Sequence, residues 1–546
     1  MSERYRAGLG LLLFVAGHLL LWAVLPAALG LNSPWDNIEE LVWSHSLELG
    51  YYKHPPLPSW LMHGLVALAG PSPGLTFFAG SGCVAVALAL MWQLGCELRD
   101  GADRPLRPTL ALGAVLLCSL AAYHNLRGLY FNHNVAQLPS LAAAFLFFHR
   151  ALRLGRKRDW LLLGAACGVA LLTKYSALLF FASFALLLLW ERRLGEARLW
   201  RGIALAAPVT LAVLAPHLAW GFAHDFPTLH YVEHSVGEMH QSNRFVNLWG
   251  FTSTQVVRLL PVALGLGLLH WLERRRNGEP GAATAGDAAP GLPAARGSDG
   301  ASAATSLAAR RAALLCAADR RFVLALGLGP LLITLGLALF GGMFIDSPWA
   351  SMYFLFAGWL ALLLWPPAAV DAGARDAGLA RFAGVVLAIQ LLLAVGYLLG
   401  NTVLPDRFGH RGRSNYPGAA ISAAAAAAWD EDRRGPLRIV VGDTWLAGNI
   451  AIHRQPVPAV FIDGDTVKSP WVGPDDVAAC GALVVIDDSQ RGASGDPAGA
   501  GTLALYERTG ARGVIERTWA NDKLPPARLR WGVIERTPGA PRCRFD

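Results

Sequence analysis

Apolar runs of about 20 residues, each long enough to cross the hydrocarbon core of a bilayer, recur along this chain. The first, AGLGLLLFVAGHLLLWAVLPAALGL, follows MSERYR. It resembles a secretory signal, but it is longer than a usual signal core and no small-x-small cleavage site in it is persuasive. It therefore reads as a retained first helix. Backbone inside lipid must satisfy its own N–H and C=O groups, so such runs are read as helices. Of 546 residues, 54% are apolar and 16% charged, against roughly a quarter charged in soluble domains. A soluble enzyme would have to bury many helices that are apolar all round in one core. The fold class is a polytopic α-helical membrane protein.

Eleven passes are expected, at about 8–30, 75–94, 108–124, 134–150, 161–173, 176–190, 202–220, 254–272, 321–341, 350–368 and 380–400. The fifth and sixth are short. Together they form LLLGAACGVALLTKYSALLFFASFALLLLW, with basic residues on both flanks. Two passes meeting at TKYS keep both flanks on the cytoplasmic side, whereas one long tilted helix would reverse the later topology. The formal charge of +8 has the same origin. Arginines cluster in HRALRLGRKRDW, WERRLGEARLWRG, HWLERRRNG and ARRAALLCAADRR, the pattern of cytoplasmic loops rather than of a nucleic-acid surface. No nucleic-acid partner is expected.

Residues 1–400 are read as a transmembrane domain. Inside it, 277–309 (rich in Gly, Ala and Pro) is a flexible cytoplasmic linker. Residues 401–429 are a connector. Residues 430–546 are a small extracytoplasmic α/β domain, with strands expected at LRIVVG, VPAVFID and ACGALVVIDD and a helix at TLALYERTG. It lacks a glycine-rich nucleotide fingerprint. Five of the seven cysteines lie in or beside apolar segments, where Cys acts as a small hydrophobe. Cys480 and Cys543 lie in the polar tail, where a disulfide is open to them.

The outside loops carry the chemistry. In WDNIEELVW, a helical reading sets Asp36 one turn from Glu39 and Glu40, with Trp35 and Trp43 at an interfacial level. Two readings stand: a solvated amphipathic helix, or a carboxylate facing a cleft and able to act as a general base. In GYYKHPPLPSW, the prolines fix a stiff turn under Lys53 and His54. Such a turn suits phosphate, and equally suits basic side chains snorkelling at a helix start. YHNLRGLYFNHN supplies Arg127, Asn132, His133 and Asn134, amide and imidazole groups fit for sugar hydroxyls or phosphate, or else an ordinary polar loop. Lys174, beside Tyr175 at the tip of two short apolar helices, is costly unless it reaches water or an anion. HDFPTLHYVEHSVGEMHQ is histidine-rich, but His230 and His234 flank no glutamate at the position a zinc-protease helix needs. It reads as a wet loop with room for a divalent ion. Arg407, His410, Arg411 and Arg413 lie outside, against the usual charge bias, and hint at an anionic ligand.

Four marks taken together are shared with a known family: the acidic residue of the first outside loop, YYKHPPL, NHN before the fourth pass, and LLTKYSALL. With these, residues 8–400 resemble the polytopic lipid-linked-sugar glycosyltransferases of the GT-C superfamily. The likeness is to the bacterial branch related to protein mannosyltransferases and aminoarabinose transferases (glycosyltransferase family 39/83-like). The resemblance implies a GT-C fold of about eleven transmembrane helices with a trailing extracytoplasmic domain. It makes Asp36 the catalytic base or acceptor-orienting group. The family's acidic pair is broken by Asn37, so Glu39 or Glu40 would compensate. The lysine before Pro-Pro-Leu falls on His54, with Lys53 beside it. Lys174 is a further phosphate candidate, and Tyr175, Arg127, His133 and Asn134 complete the expected substrate-binding set.

The resemblance further implies inverting transfer of a sugar from a polyprenyl-phosphate donor to a lipid or envelope-glycan acceptor. It sets this at the periplasmic face of a bacterial inner membrane. No cofactor is required, and a divalent cation is compatible. A protein O-mannosyltransferase-like enzyme is the runner-up, and a lipid or glycan transporter is the rival of another class. A transporter would place its polar groups at the bilayer midplane, whereas the candidates here lie in outside loops.

Overall fold

The computed structural model describes residues 2–237, 243–278, 309, 312–366, 376–431, 435–488, 499–519, 521 and 524–546. Each expected pass carries helix. Among the described residues, seven helices are long and apolar enough to span a membrane: Glu3–Ala28, Pro73–Gly95, His133–Leu154, Ala197–Ala223, Arg244–Leu272, Ala317–Gly341 and Ala380–Asn401. The shorter ones, Pro108–Cys118, Lys157–Thr173, Ala177–Trp190 and Ala357–Leu364, pack among them. The linker expected at 277–309 lies, apart from its ends, outside the described residues.

The run around TKYS forms two helices, not one. Lys174 takes extended backbone (φ −162°, ψ 139°) and ends the helix Lys157–Thr173. A helix that stops in an apolar setting orphans its last carbonyls. Here Ala170 O accepts from Lys174 N–H at 3.0 Å and Lys174 O from Ala177 N–H at 3.2 Å, and the buried Gln137 amide donates to both as a second partner, at 2.8 and 2.6 Å. Small residues then let this helix lie close to Ala197–Ala223. A Cβ on Gly164 would stand 2.3 Å from Ala206 O, and Thr210 Oγ1 donates to Gly164 O at 2.9 Å.

The outside segments fold into buried structure. WDNIEELVW is a helix, Trp35–Trp43, and seven of its nine residues, Asn37 to Trp43, are buried. It is therefore not a solvated amphipathic helix. Trp43, expected at the membrane interface, is wholly buried and stacked on Tyr51 with ring centroids 4.9 Å apart. The Tyr51 hydroxyl donates to Ser46 O at 2.7 Å, and Trp60 Nε1 to Glu48 O at 2.7 Å. The basic turn between them is thus glued at both ends.

The C-terminal region holds a five-stranded sheet in the order β2-β1-β3-β5-β4. Strands β1 (Ile439–Gly442), β2 (Ala459–Ile462) and β3 (Ala482–Asp487) are parallel, while β4 (Arg512–Arg517) and β5 (Ala527–Ile534) add antiparallel. Cys480 and Cys543 form a disulfide. The connecting residues include a helix, Gly418–Asp430, whose Ser422 Oγ donates to Ile450 O at 3.0 Å.

This unit sits directly on the first-loop helix. Trp445 Nε1 donates to Ser33 O at 3.2 Å, and Gly448 is so close that a Cβ there would meet Ile38 Cγ2 at 2.4 Å. Asn32 Nδ2 donates to the carbonyls of Arg413 (3.0 Å) and Tyr416 (2.7 Å), tying the strand of chain that leads into the sheet to the first outside loop.

Candidate active site

A cavity of about 880 Å³ opens where these outside segments meet the outer ends of the helices. The expected base and substrate-binding set lines it: Asp36, Glu39, Glu40, Lys53, His54, Arg127, His133, Asn134, Lys174 and Tyr175, while Arg407, His410 and Arg411 do not. One wall is polar. Leu178, Leu179, Leu214, Leu218 and Leu337 line the rest.

Three consecutive side chains organise the polar wall. Asn132 caps a short helical turn, its Oδ1 accepting from the backbone N–H groups of Asn134 (3.1 Å) and Val135 (3.0 Å). The cap leaves Nδ2 to donate, and it does so to Asp36 Oδ2 at 2.8 Å. Asp36 lines the cavity, and its Oδ1 has no hydrogen-bond partner among the described residues. His133 Nδ1 lies 2.9 Å from Glu40 Oε1, and its Nε2 lies 3.2 Å from Pro55 O. Asn134 Oδ1 accepts from Lys174 Nζ at 2.7 Å. The NHN triplet therefore fixes a carboxylate, a buried acid–imidazole contact and an ammonium side by side.

The acids of the first-loop helix have separate duties. Asn37, at the second position of the expected acidic pair, is buried and donates to Thr76 Oγ1 (2.9 Å) and Leu129 O (3.2 Å). Glu40 also accepts from Ser59 Oγ at 2.7 Å. Glu39 binds Lys53 Nζ at 2.6 Å. Burial raises the Glu39 carboxyl and Lys53 draws it back. Burial opposes the Lys53 charge, but Glu39, Tyr52 and Tyr231 outweigh it and hold the ammonium above its usual range. Lys53 is thus already matched by a carboxylate.

Lys174 differs. Among the described residues its ammonium has one hydrogen-bond partner, a neutral amide, and it lies 5.8 Å over the Trp349 ring. Burial pushes it down to about 8, with Asp36 and Asp346 pulling it back up. His54 is held well below the usual imidazole range, first by burial and then by His133, Lys174 and Lys53. Its ring sits 4.1 Å from that of His133, and neither of its nitrogens has a hydrogen-bond partner among the described residues. A neutral ring there keeps one N–H to offer a ligand.

Tyr175 lines the cavity by its ring, while its hydroxyl is engaged elsewhere. His217 Nδ1 lies 2.8 Å from Leu49 O and must donate to it, so Nε2 accepts from Tyr175 OH at 2.6 Å. Thr228 Oγ1 is 3.1 Å from the same hydroxyl.

Other lining groups are residues that the sequence did not single out. Asp346 lies near Arg127, Arg258 and Lys174 without an ion pair to any of them. Burial raises its carboxyl, and those cations oppose the rise. Tyr231 presents its ring edge-on to His54 at 5.6 Å and lies under Lys53 at 5.9 Å. A tyrosine one residue beyond a histidine, in a helix leading back to the membrane, was the available signal. The loop histidines His224, His230 and His234 do not line the cavity, and His240 lies outside the described residues. Among the described residues, no three His, Cys, Asp or Glu side chains are grouped to hold a metal ion.

Comparison with known proteins agrees with this architecture. Residues 53–220 match the family model described as dolichyl-phosphate-mannose-protein mannosyltransferase. The chain is 28% identical over 223 residues to the lipid A galacturonosyltransferase RgtD of Rhizobium johnstonii, covering 39% of this chain and 43% of that protein. It is also 28% identical over 218 residues to the lipopolysaccharide core galacturonosyltransferase RgtA of the same organism, covering 39% and 41%. The chain thus aligns with less than half the length of these curated relatives. In three dimensions it is similar to ArnT from Cupriavidus metallidurans bound to undecaprenyl phosphate, with TM-score 0.60, 15% identity, and 95% and 97% of the two chains covered. A bundle of spans with its polar cavity under a folded first loop defines a multi-pass membrane protein of the GT-C type. The chain shares the fold of ArnT, and its residues 53–220 share the sequence pattern of the mannosyltransferase model.

Proposed function

We propose that this protein is an inverting glycosyltransferase. It moves a sugar from a polyprenyl-phosphate donor to a lipid or envelope-glycan acceptor of lipopolysaccharide type. One observation carries the reading: a single turn, Asn132–Asn134, holds an open carboxylate oxygen of Asp36 and an ammonium without a carboxylate partner, Lys174, on one wall of a partly apolar cavity. Those are the two groups that the displacement needs.

The acceptor hydroxyl attacks the anomeric carbon from the face opposite the phosphate. The new C–O bond forms as the bond to phosphate oxygen breaks, which inverts the centre. Asp36 takes the hydroxyl proton. Lys174 and a His54 N–H meet the charge that gathers on the departing polyprenyl phosphate. Lys53, matched by Glu39, orients the turn that carries His54. The leucine-lined side of the cavity suits the polyprenyl chain.

The relatives named for lipid A and core sugar transfer support a glycolipid acceptor, and the undecaprenyl phosphate named with ArnT supports a polyprenyl donor. A disulfide-bonded sheet domain over the cavity, and arginine clusters at the opposite helix ends, support a site on the periplasmic face of an inner membrane. The mannosyltransferase family match favours protein O-glycosylation as the second reading.

Asp36→Asn tests the proposal. Transfer in membranes, at matched protein level and thermal stability, should fall roughly 10²- to 10⁴-fold, with donor binding retained. Full transfer by the variant would remove Asp36 as the base. Mass spectrometry of envelope lipids and proteins separates the two acceptor classes.

A further inference from the structure

Two cations of the cavity have no part in the displacement above. Arg127 follows the turn Ala122–His124 and is half-buried, its guanidinium carbon 4.2 Å over the Tyr130 ring. Arg413 lies on the strap of chain after the last span, and its exposed side chain reaches the same cavity. Among the described residues, neither guanidinium has a carboxylate within ion-pair distance or a hydrogen-bond acceptor. Arg127 acts electrostatically on Asp346 without an ion pair to it. Both arginines line the one cavity, and both act electrostatically on Tyr397. The strap is not loose there, because Asn32 holds the carbonyls of Arg413 and Tyr416.

A guanidinium offers a planar fork of donors matched to an oxyanion. Two such forks lining one cavity without an acidic partner are poised for an anion brought by a ligand. We propose that Arg127 and Arg413 form a second anion subsite, separate from the leaving phosphate at Lys174 and His54, for a carboxylate or phosphate carried by a substrate. The proposal rests on the transferase reading and deepens it: one of the two substrates bears a further negative charge. The anion has two sources. It is either the carboxylate of a hexuronate on the donor or a phosphate on the acceptor lipid.

The experiment uses full-length protein in detergent and in membranes, as wild type, Arg413→Gln, Arg127→Gln and Arg127→Lys. Two donors differ only at the sugar C6 position, a polyprenyl-phosphate hexuronate and the matching hexose. Two acceptor glycolipids differ only in their phosphates. Donor and acceptor binding is measured in an Asp36→Asn background, and transfer is measured with Asp36 intact. Each glutamine substitution should cut the preference for the charged member of one pair roughly ten- to a hundredfold. Arg127→Lys, which keeps the charge but not the fork, should restore part of it. Loss confined to the donor pair assigns a sugar carboxylate, and loss confined to the acceptor pair assigns a phosphate. Charge preference in binding that the arginines control, without any transfer, upholds the subsite and overturns the transferase reading. Transfer by wild type with no change of either preference in Arg413→Gln and Arg127→Gln overturns the subsite and leaves the reading standing.

Discussion

Three basic side chains sit near the outer end of this cavity, and their partners distinguish them. Lys53 is matched by Glu39 and His54 is kept neutral, which leaves Lys174 as the ammonium held by an amide alone. Its position near pH 8 has a consequence for rate. The charged form, present below about pH 8, meets phosphate, and the neutral amine formed above it does not. The kcat/KM for the lipid donor should therefore fall as pH rises through about 8. In Lys174→Arg the side chain stays charged far above that range, so this limb should flatten even if the rate is lower throughout. An unchanged limb would assign it to another group. The site residues themselves were legible, since a charge or amide beside an apolar run is costly and invites a reason. Their pairing was not. Asn132 and Asp36 lie 96 residues apart, and nothing local says that one donates to the other. Asp346 escaped notice because a lone Asp after a glycine-rich turn has an ordinary explanation.

At the level of elements, hydrophobic run length located the spans, and loop charge chose between one long helix and two short ones. What run length did not supply was the means of stopping a helix in apolar surroundings. That task falls to Gln137, in the helical segment from His133, which bonds Ala170 O and Lys174 O while its own Oε1 accepts from Ser176 Oγ at 3.1 Å. Gln137→Leu keeps the volume and removes three hydrogen bonds, while each carbonyl keeps one backbone N–H. It should cost about 0.5–1.5 kcal/mol for each hydrogen bond lost, seen as a lower Tm in detergent, and it should slow transfer by loosening Lys174. A variant with wild-type Tm would show that the break is held by something else. The first-loop helix shows a different limit. Its periodicity was read correctly as helix, yet an amphipathic pattern alone does not reveal what covers it. A domain that begins some 400 residues later provides that cover.

At the scale of the whole molecule, the sheet unit and the bundle meet through that helix. Gly448 lies against Ile38 and Val42, one face round from the acids that line the cavity. A methyl group there would need Ile38, buried and branched at Cβ, to move. Gly448→Ala should cost about 1–3 kcal/mol by overpacking. It should also lower kcat for transfer more than it raises KM, because the displaced helix carries Asp36. A stability loss with kcat intact would mean that the sheet unit is anchored without steering the site. Strands β1, β2 and β3 were legible from short branched runs between turn residues, because each is buried on both faces. Their seat on the first loop had no signature in either segment.

At Arg413 the strap is held by a carbonyl oxygen and not by the arginine side chain. A grip on main-chain atoms is indifferent to what the codon at that position specifies. One nucleotide change could thus exchange the side chain overhanging the cavity while the strap stays where it is. Chains built on this plan have a cheap route to a new taste in substrates, with the displacement chemistry below left untouched.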